Sequence, residues 1–528
     1  DISKFIDPLA ESYIYNYGLY LREPQYKTLI QSKIIEIETI RNLNQNILEE
    51  IKEQFGDAID INHFNSLRKK LNYRILLVRD SVTNNLLGFS SFYWVRQNML
   101  YDEFHDSNIT DYIRKNAKGR IILISGICVQ NDDEYLVEIV LNETLSLAIT
   151  RDYNYALYNN SLLKNKNSEV ERQLLLQGFL MTDFVYNENS LFIVDMNNPM
   201  TLNLDLENML KPPYSTDTKI LETIRNTRNK LKEALSALYP GELLLTYNRD
   251  MTYSKLIQKI CDANEVSIIP SPIKEFGPNM CVPFGSILNS SIIPNTVTKT
   301  MHTEKIFEPD IVNFTVGSSP YYLSLEEQAK VLKSFNKPVI LVDDLLSKGY
   351  RINVIEPILR NAGVEIKKII VGILSGKGKE IGEIKGIELD YAYFIPNLKL
   401  WFNESSQYPY IGGDMVGDSI LESFSIPSIN MILPYVSPRF IKNTKNDAIY
   451  NLSEICLENS LSIFKAIEEV YQSVNEKNLS IKGLGEVLVS PRHPDINKNM
   501  DLNKNIKPST YIEMDLQYLR RLENIIRR

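Results

Sequence analysis

The sequence predicts a multidomain α/β protein: a mixed-sheet domain, then a parallel-sheet domain, then a helical C-terminal region. Three observations point there. Apolar stretches of strand length alternate with stretches of helical period from residue 31 to about 430. Asn and Pro gather at 197–218, in MNNPM and KPPYSTD, and mark a boundary. Beyond residue 431 the chain turns helical and polar. A chain of 528 residues is long enough for about three or four such units.

Residues 1–30 are aromatic-rich without a clean period and read as a connector. The chain begins at Asp1, so an upstream domain is expected before it. The next unit, 31–197, opens with a strand in KIIEIETI and two short helices, NQNILEEIKEQF and NHFNSLRKKLN. Residues 73–95 form two strands around an Asn-Asn turn, a hairpin signal. GRIILISGICVQ (119–130) is a strong strand. LVEIVLNETLSLAITRDY (136–153) has apolar positions at helical spacing. A strand in NYALYNN, a helix at 168–179 and a strand in SLFIVDM close the unit.

Residues 198–240 read as a linker and a helix, the helix stopped by Pro240-Gly241. The unit at 241–430 alternates strand and helix, which implies a mostly parallel sheet covered on both faces. It opens with strands in ELLLTY and VSIIP. Ser324 and Glu327 form a capping-box pattern before a helix. Pro357 should kink or delay the helix that ends at Gly363. Residues 431–528 hold a long amphipathic helix at 447–474 and a terminal helix with a second capping-box pattern, Thr510 and Glu513.

The balance of 58 Lys+Arg against 66 Asp+Glu, net −8, argues against a general nucleic-acid binder, while local basic pockets remain compatible with it. No apolar run approaches the roughly 18 residues of a membrane span, so no membrane partner is expected. Cys128, Cys261, Cys281 and Cys456 are scattered and form no C-x-x-C pair. They read as reduced, buried thiols of a cytoplasmic protein. Four unclustered histidines make a zinc site improbable, and no protein-ligated metal is assigned.

The segment KPVILVDDLLSKGYR (337–351) carries the chemistry. Four apolar residues run into Asp343 and Asp344, where an open parallel sheet binds ligands. Adjacent carboxylates repel, so hydroxyl donors, a cation or backbone amides must compensate. The loop Ser347-Lys348-Gly349-Tyr350-Arg351 leads to a helix start, an anion nest with partial positive charge. The combination suits a sugar phosphate, acids toward ribose hydroxyls and loop around phosphate.

This segment resembles the ribose-phosphate signature of type I phosphoribosyltransferases. The departure is Lys348, where the family usually has a small or hydroxylated residue. The resemblance extends over roughly 241–430. It implies transfer of phosphoribosyl from 5-phosphoribosyl 1-pyrophosphate to a base or nucleotide-like acceptor, or the reverse, with Mg²⁺ as cofactor. It implies Asp343 and Asp344 at the ribose, and a pyrophosphate loop at NRDMTYS with Arg249 and Asp250. It also implies a mobile loop at 295–305 bringing Lys299 and Lys305 to the leaving group. Aromatic faces at Trp401 and Phe402 would stack on the base.

The unit at 31–197 resembles a GNAT-type acyltransferase in element order. That family holds the acetyl-CoA pyrophosphate on a basic, glycine-rich loop. Here the loop is NDDEYLVE, with Asp132, Asp133 and Glu134 and no glycine. The expected architecture is therefore a GNAT-like domain that has lost acyl-CoA binding, followed by a phosphoribosyltransferase-type domain. A non-enzymatic nucleotide or sugar-phosphate sensor and a working acyltransferase are the alternatives. A homo-oligomer through the C-terminal helices is compatible with either.

Overall fold

A computed structural model describes residues 7, 28–29, 35–164, 167–271, 276–288, 291–320, 322–417, 425–494 and 502–526. The expected connector, 1–30, lies outside the described residues apart from Asp7 and the pair Thr28–Leu29.

The first sheet begins with β1 (Ile35–Ile40), followed by helices α1 (Gln45–Phe55) and α2 (Ile61–Leu67). Strands β2 (Arg74–Asp80) and β3 (Leu86–Val95) make the expected hairpin, with Asn84 in the left-handed region at its turn. Helix α3 (Ser107–Asn116) leads to β4 (Ile121–Val129), buried along its whole length. Then come α4 (Glu134–Ile149), β5 (Tyr155–Tyr158), α5 (Ser168–Leu176), β6 (Leu180–Tyr186) and the long β7 (Asn189–Asn203). Strands β1 to β4 are antiparallel neighbours, β4 and β5 are parallel, and β7 pairs antiparallel with β5 and β6. This order gives the N-terminal region a GNAT-like fold.

The boundary expected at 197 falls inside β7. Its second half pairs in parallel with β8 (Glu242–Tyr247) on one side and β16 (Leu400–Asn403) on the other, completing nine strands. Pro199 is tolerated because the ladder to β8 shifts register between Asp195 and Met200. The strand expected to open the parallel sheet therefore belongs to the first sheet.

The second sheet is five-stranded and parallel. Its strands are β9 (Met280–Pro283), β10 (Val297–Thr298), β13 (Val339–Leu346), β14 (Ile366–Ser375) and β15 (Leu389–Ile395), in the order β10-β9-β13-β14-β15. Helices α7 (Arg249–Ala263), α8 (Leu325–Ser334), α9 (Tyr350–Asn361) and α10 (Gly376–Lys385) flank it. The Ser324–Glu327 capping box forms, and α9 runs unbroken through Pro357 to end before the left-handed Gly363. VSIIP, expected as a strand, forms none.

A third sheet joins β11 (Thr303–Phe307), β12 (Phe314–Ser318), β17 (Asp414–Val416), β18 (Ile426–Ile429) and β19 (Arg492–Pro494) in the order β12-β11-β17-β18-β19. The expected mobile loop at 295–305 is thus partly strand.

Helix α6 (Thr218–Ser236), expected in a linker, instead shares one core with α11 (Asn446–Asn475), α12 (Pro508–Arg521) and β16. Helix α12 starts on Pro508 and has no side-chain cap, so the Thr510–Glu513 box does not form. All four cysteines are free and buried, and no described helix is long and apolar enough to cross a membrane.

Candidate functional site

The C-terminal ends of β13, β14 and β15 open into a cavity of about 2940 Å³. Strand β9 stops opposite Val342, so on that side Asp343 and Asp344 face the loop that follows it, while on the other side Asp343 stays in register with Val371 of β14. Both acids are buried, at 4% and 6% exposure. Asp344 accepts from the Ser286 amide (3.1 Å), the Ser286 hydroxyl (2.8 Å) and the Ile287 amide. Asp343 Oδ1 accepts from the Asp344 amide (2.8 Å) and from Arg351 Nη1 (2.9 Å). The Arg351 guanidinium also lies 3.7 Å from Asp344. Burial pushes the Asp343 carboxyl up to about 6, against the lowering effect of Arg351 and with the added repulsion of Asp344. Gly285 makes this packing possible, since a Cβ there would lie 2.1 Å from Asp343 Oδ1.

Arg351 was expected on phosphate. Leaving from the first turn of α9, it folds back on the acids and supplies their compensating charge. It also occupies the cation's place between the carboxylates. Asp344's oxygens are taken by the β9 loop, and no group of three potential ligands comes together among the described residues. The acid pair therefore offers no metal site, and the Mg²⁺ that the resemblance implies belongs at the pyrophosphate, not on these carboxylates.

Ser347, Lys348, Gly349 and Tyr350 line the cavity. Gly349 has φ 69°, stands at the N-cap of α9 and gives that helix no side-chain cap. The first-turn amides are therefore a ready anion site. Tyr350 packs edge-on against Phe314 (4.8 Å). Beside them, Gly376-Lys377-Gly378 opens α10. Gly378 passes so close to the Leu346 carbonyl that a Cβ would come within 2.0 Å. The sequence reading missed both this turn and the β9 loop. Their signals were the glycines after apolar runs in VPFGS and LSGKG.

Lys305 reaches the cavity, 3.6 Å from Asp414 and over the rings of Phe307 and Phe314. Lys299 is not among the lining residues; its amide continues the pairing of β10 with the Cys281 carbonyl. Arg249 and Asp250 start α7 after β8, not after the first strand of the parallel sheet. Asp250 accepts from the Tyr135 hydroxyl (2.7 Å). Arg249 bonds Asn208 (3.3 Å) and lines a small cavity of about 20 Å³ behind Asp344. The loop beside the acids is Gly285-Ser286-Ile287.

Trp401 and Phe402 alternate on β16. Phe402 is buried in the C-terminal core and Trp401 packs half-buried against the first-sheet core, so strand packing claims both rings expected to stack on a base. Asp205, just past β7, lines the cavity as well. Its carboxylate accepts from the Ser405 amide and hydroxyl (both 2.8 Å), and burial pushes it up to about 7.

In the N-terminal region the loop before α4 is closed to anions. Asp133 caps the helix by accepting from the Leu136 amide (3.1 Å), and Asp132 accepts from Asn167 (2.7 Å). Where β4 and β5 diverge, the Ser125 carbonyl accepts from the amides of Ser161 and Leu162 (3.0 and 2.9 Å). The Leu162 side chain sits where a Cβ on Gly126 would be. The chain fills its own cleft.

No protein-family model matches this chain, and no curated relative does. Solved structures match in part. An N-acetyltransferase from Staphylococcus aureus Mu50 is 12% identical, covering 30% of this chain and 97% of that one at TM-score 0.21. FeeM, an N-acyl amino acid synthase from uncultured soil microbes, is 12% identical over 30% and 89%, at 0.23. The GNAT family N-acetyltransferase YhbS from Escherichia coli, in complex with CoA, is 9% identical over 32% and 84%, at 0.22. Scores this low carry no argument on their own; the GNAT-like assignment rests on the strand order.

Proposed function

We propose that the cavity over the parallel sheet binds a phosphorylated ribose and that the chain is a transferase of phosphoribosyl type. One observation carries this reading: a buried acid pair at the end of the central parallel strand, of which Asp343 lines the cavity, followed in that cavity by an uncapped helix start with a left-handed glycine. Asp343, the member of the pair that lines the cavity, accepts ribose hydroxyls, and the two carboxylates together favour positive charge developing at the anomeric carbon. The amides of 347–350 take the 5-phosphate, and Lys305 faces the leaving group.

Calorimetric titration with 5-phosphoribosyl 1-pyrophosphate and with ribose 5-phosphate tests the site. Saturable binding is expected, and Asp343→Asn with Asp344→Asn should weaken it at least about tenfold, a charged hydrogen-bond acceptor and the charge beside it being lost. Unchanged binding in that variant sinks the assignment. Pyrophosphate release with a panel of bases separates a transferase from a sensor, which would bind and not turn over.

The second reading is acyl transfer by the N-terminal region, favoured by its strand order. The self-capped acidic loop and the Leu162-filled cleft weigh against it. A thermal-shift titration with acetyl-CoA is expected to give no saturable stabilisation; a saturable rise would establish acyl-CoA binding.

A further inference from the structure

The cavity is far larger than a phosphoribosyl group requires. Small-ligand sites occupy about 300–1,000 Å³, against about 2940 Å³ here. Lysines and arginines outnumber aspartates and glutamates two to one along its lining, although the whole chain carries net charge −8. The basic residues run far beyond the acid pair. Lys348 and Lys377 stand at the two helix starts, Arg439 and Lys442 in the segment before α11, and Lys482 and Lys504 beyond it, all exposed. Two exposed aromatic rings, Tyr350 and Phe440, lie in the same lining.

From this we infer that the cavity takes a single-stranded nucleic acid. A basic groove that tracks phosphates, with rings on which bases stack, is how such strands are held without sequence reading. The net charge that argued against nucleic acid is a sum over the whole surface and does not register this clustering. The inference deepens the proposed function: it rests on that reading for the chemistry at the acid pair, and makes the acceptor a nucleotide within a strand instead of a free base.

Fluorescence anisotropy with a labelled oligouridylate of about 12 nucleotides, a length such grooves accommodate, tests it on the full chain. Saturable binding is expected, weakening at least about tenfold between roughly 50 and 200 mM salt. Arg439→Glu with Lys442→Glu, both exposed and in the segment before α11, should weaken it about tenfold or more. The variant's fold is checked by its thermal midpoint. No saturable binding at low salt, equal binding of a duplex of the same length, or no effect of a folded charge-reversal variant would each overturn the inference. Titration with 5-phosphoribosyl 1-pyrophosphate in parallel keeps the two readings apart. Oligonucleotide binding without sugar-phosphate binding removes the reading of the acid pair and leaves the groove; the reverse removes the groove.

Discussion

Gly285 holds the candidate site together through what it lacks. A methyl group there would meet Asp343 Oδ1 at 2.1 Å, and Arg351 Nη1 and Asp344 Oδ2 at 3.0 Å. The two carboxylates are buried and hydrogen-bonded into one network with the half-buried Arg351, so neither can move away cheaply. Gly285→Ala should cost about 1–3 kcal/mol, as overpacking does, and should lose sugar-phosphate binding. Gly485→Ala, where a Cβ meets nothing within 4 Å, is the control and should change neither. Urea unfolding and calorimetry read both. At this scale the sequence showed Asp343, Asp344 and Gly349, because their spacing is local. It did not show Ser286 clasping Asp344, nor Arg351 turning inward. Those depend on where β9 ends and on the direction in which the first turn of α9 projects its side chain.

At the scale of elements, α6 is tied to the first sheet and its neighbours by an ion cluster around the fully buried Glu404, with Arg228 and Glu207 partly exposed. Arg228 bonds Glu404 through Nε and Nη2 (both 2.8 Å) and Glu207 through Nη1 (2.7 Å). Burial and the Arg228 charge oppose each other at Glu404, and burial prevails, raising its pKa. Arg228→Met would strand the buried Glu404 and should destabilise by about 3 kcal/mol. Adding Glu207→Gln and Glu404→Gln should recover most of that in the same urea titration. Glutamates and an arginine far apart in sequence gave no sign of this cluster. Strands β7 and β16 were obscured for related reasons. Asn and Pro in MNNPM look like a break, yet Pro199 sits where one ladder has shifted. Trp401 and Phe402 look like a base platform, yet the two-residue repeat sends them into two different cores. The Ser324–Glu327 box was legible because it needs four consecutive residues. The Thr510–Glu513 pattern failed because Pro508 opens the helix earlier.

Across the whole molecule, α4 joins the sheets. It is buried on nearly every side, and its polar residues reach outward to other units. Glu138 pairs with Lys232 of α6 (2.9 Å). Glu143 pairs with Lys255 of α7 (2.7 Å) and accepts from the Tyr393 hydroxyl of β15 (2.6 Å). This shared burial makes stability respond to pH. Asp205, at about 7, and Asp343, at about 6, hold protons in the folded chain that the unfolded chain has released above about 4. Folding therefore takes up protons, and their stabilising contribution, full below the unfolded value, is lost as pH rises through 6 to 7. His63, buried against Ser125 (3.0 Å) and pushed down to about 4, acts oppositely, losing its contribution as pH falls from about 6.5 to 4. The thermal midpoint should fall between about pH 6 and pH 8, and Asp205→Asn should remove most of that fall in a pH series of melting scans.

The GNAT-like order, the parallel strands and the acid-glycine segment could be read from the chain, because periodicity and short spacing are properties of neighbouring residues. How β8 and β16 join the first sheet, which loop faces the acids, and how lysines from distant segments line one cavity were settled by folding. Those outcomes follow from long-range burial, in which residues hundreds of positions apart exclude water together, and nothing in the local pattern of either segment encodes its partner.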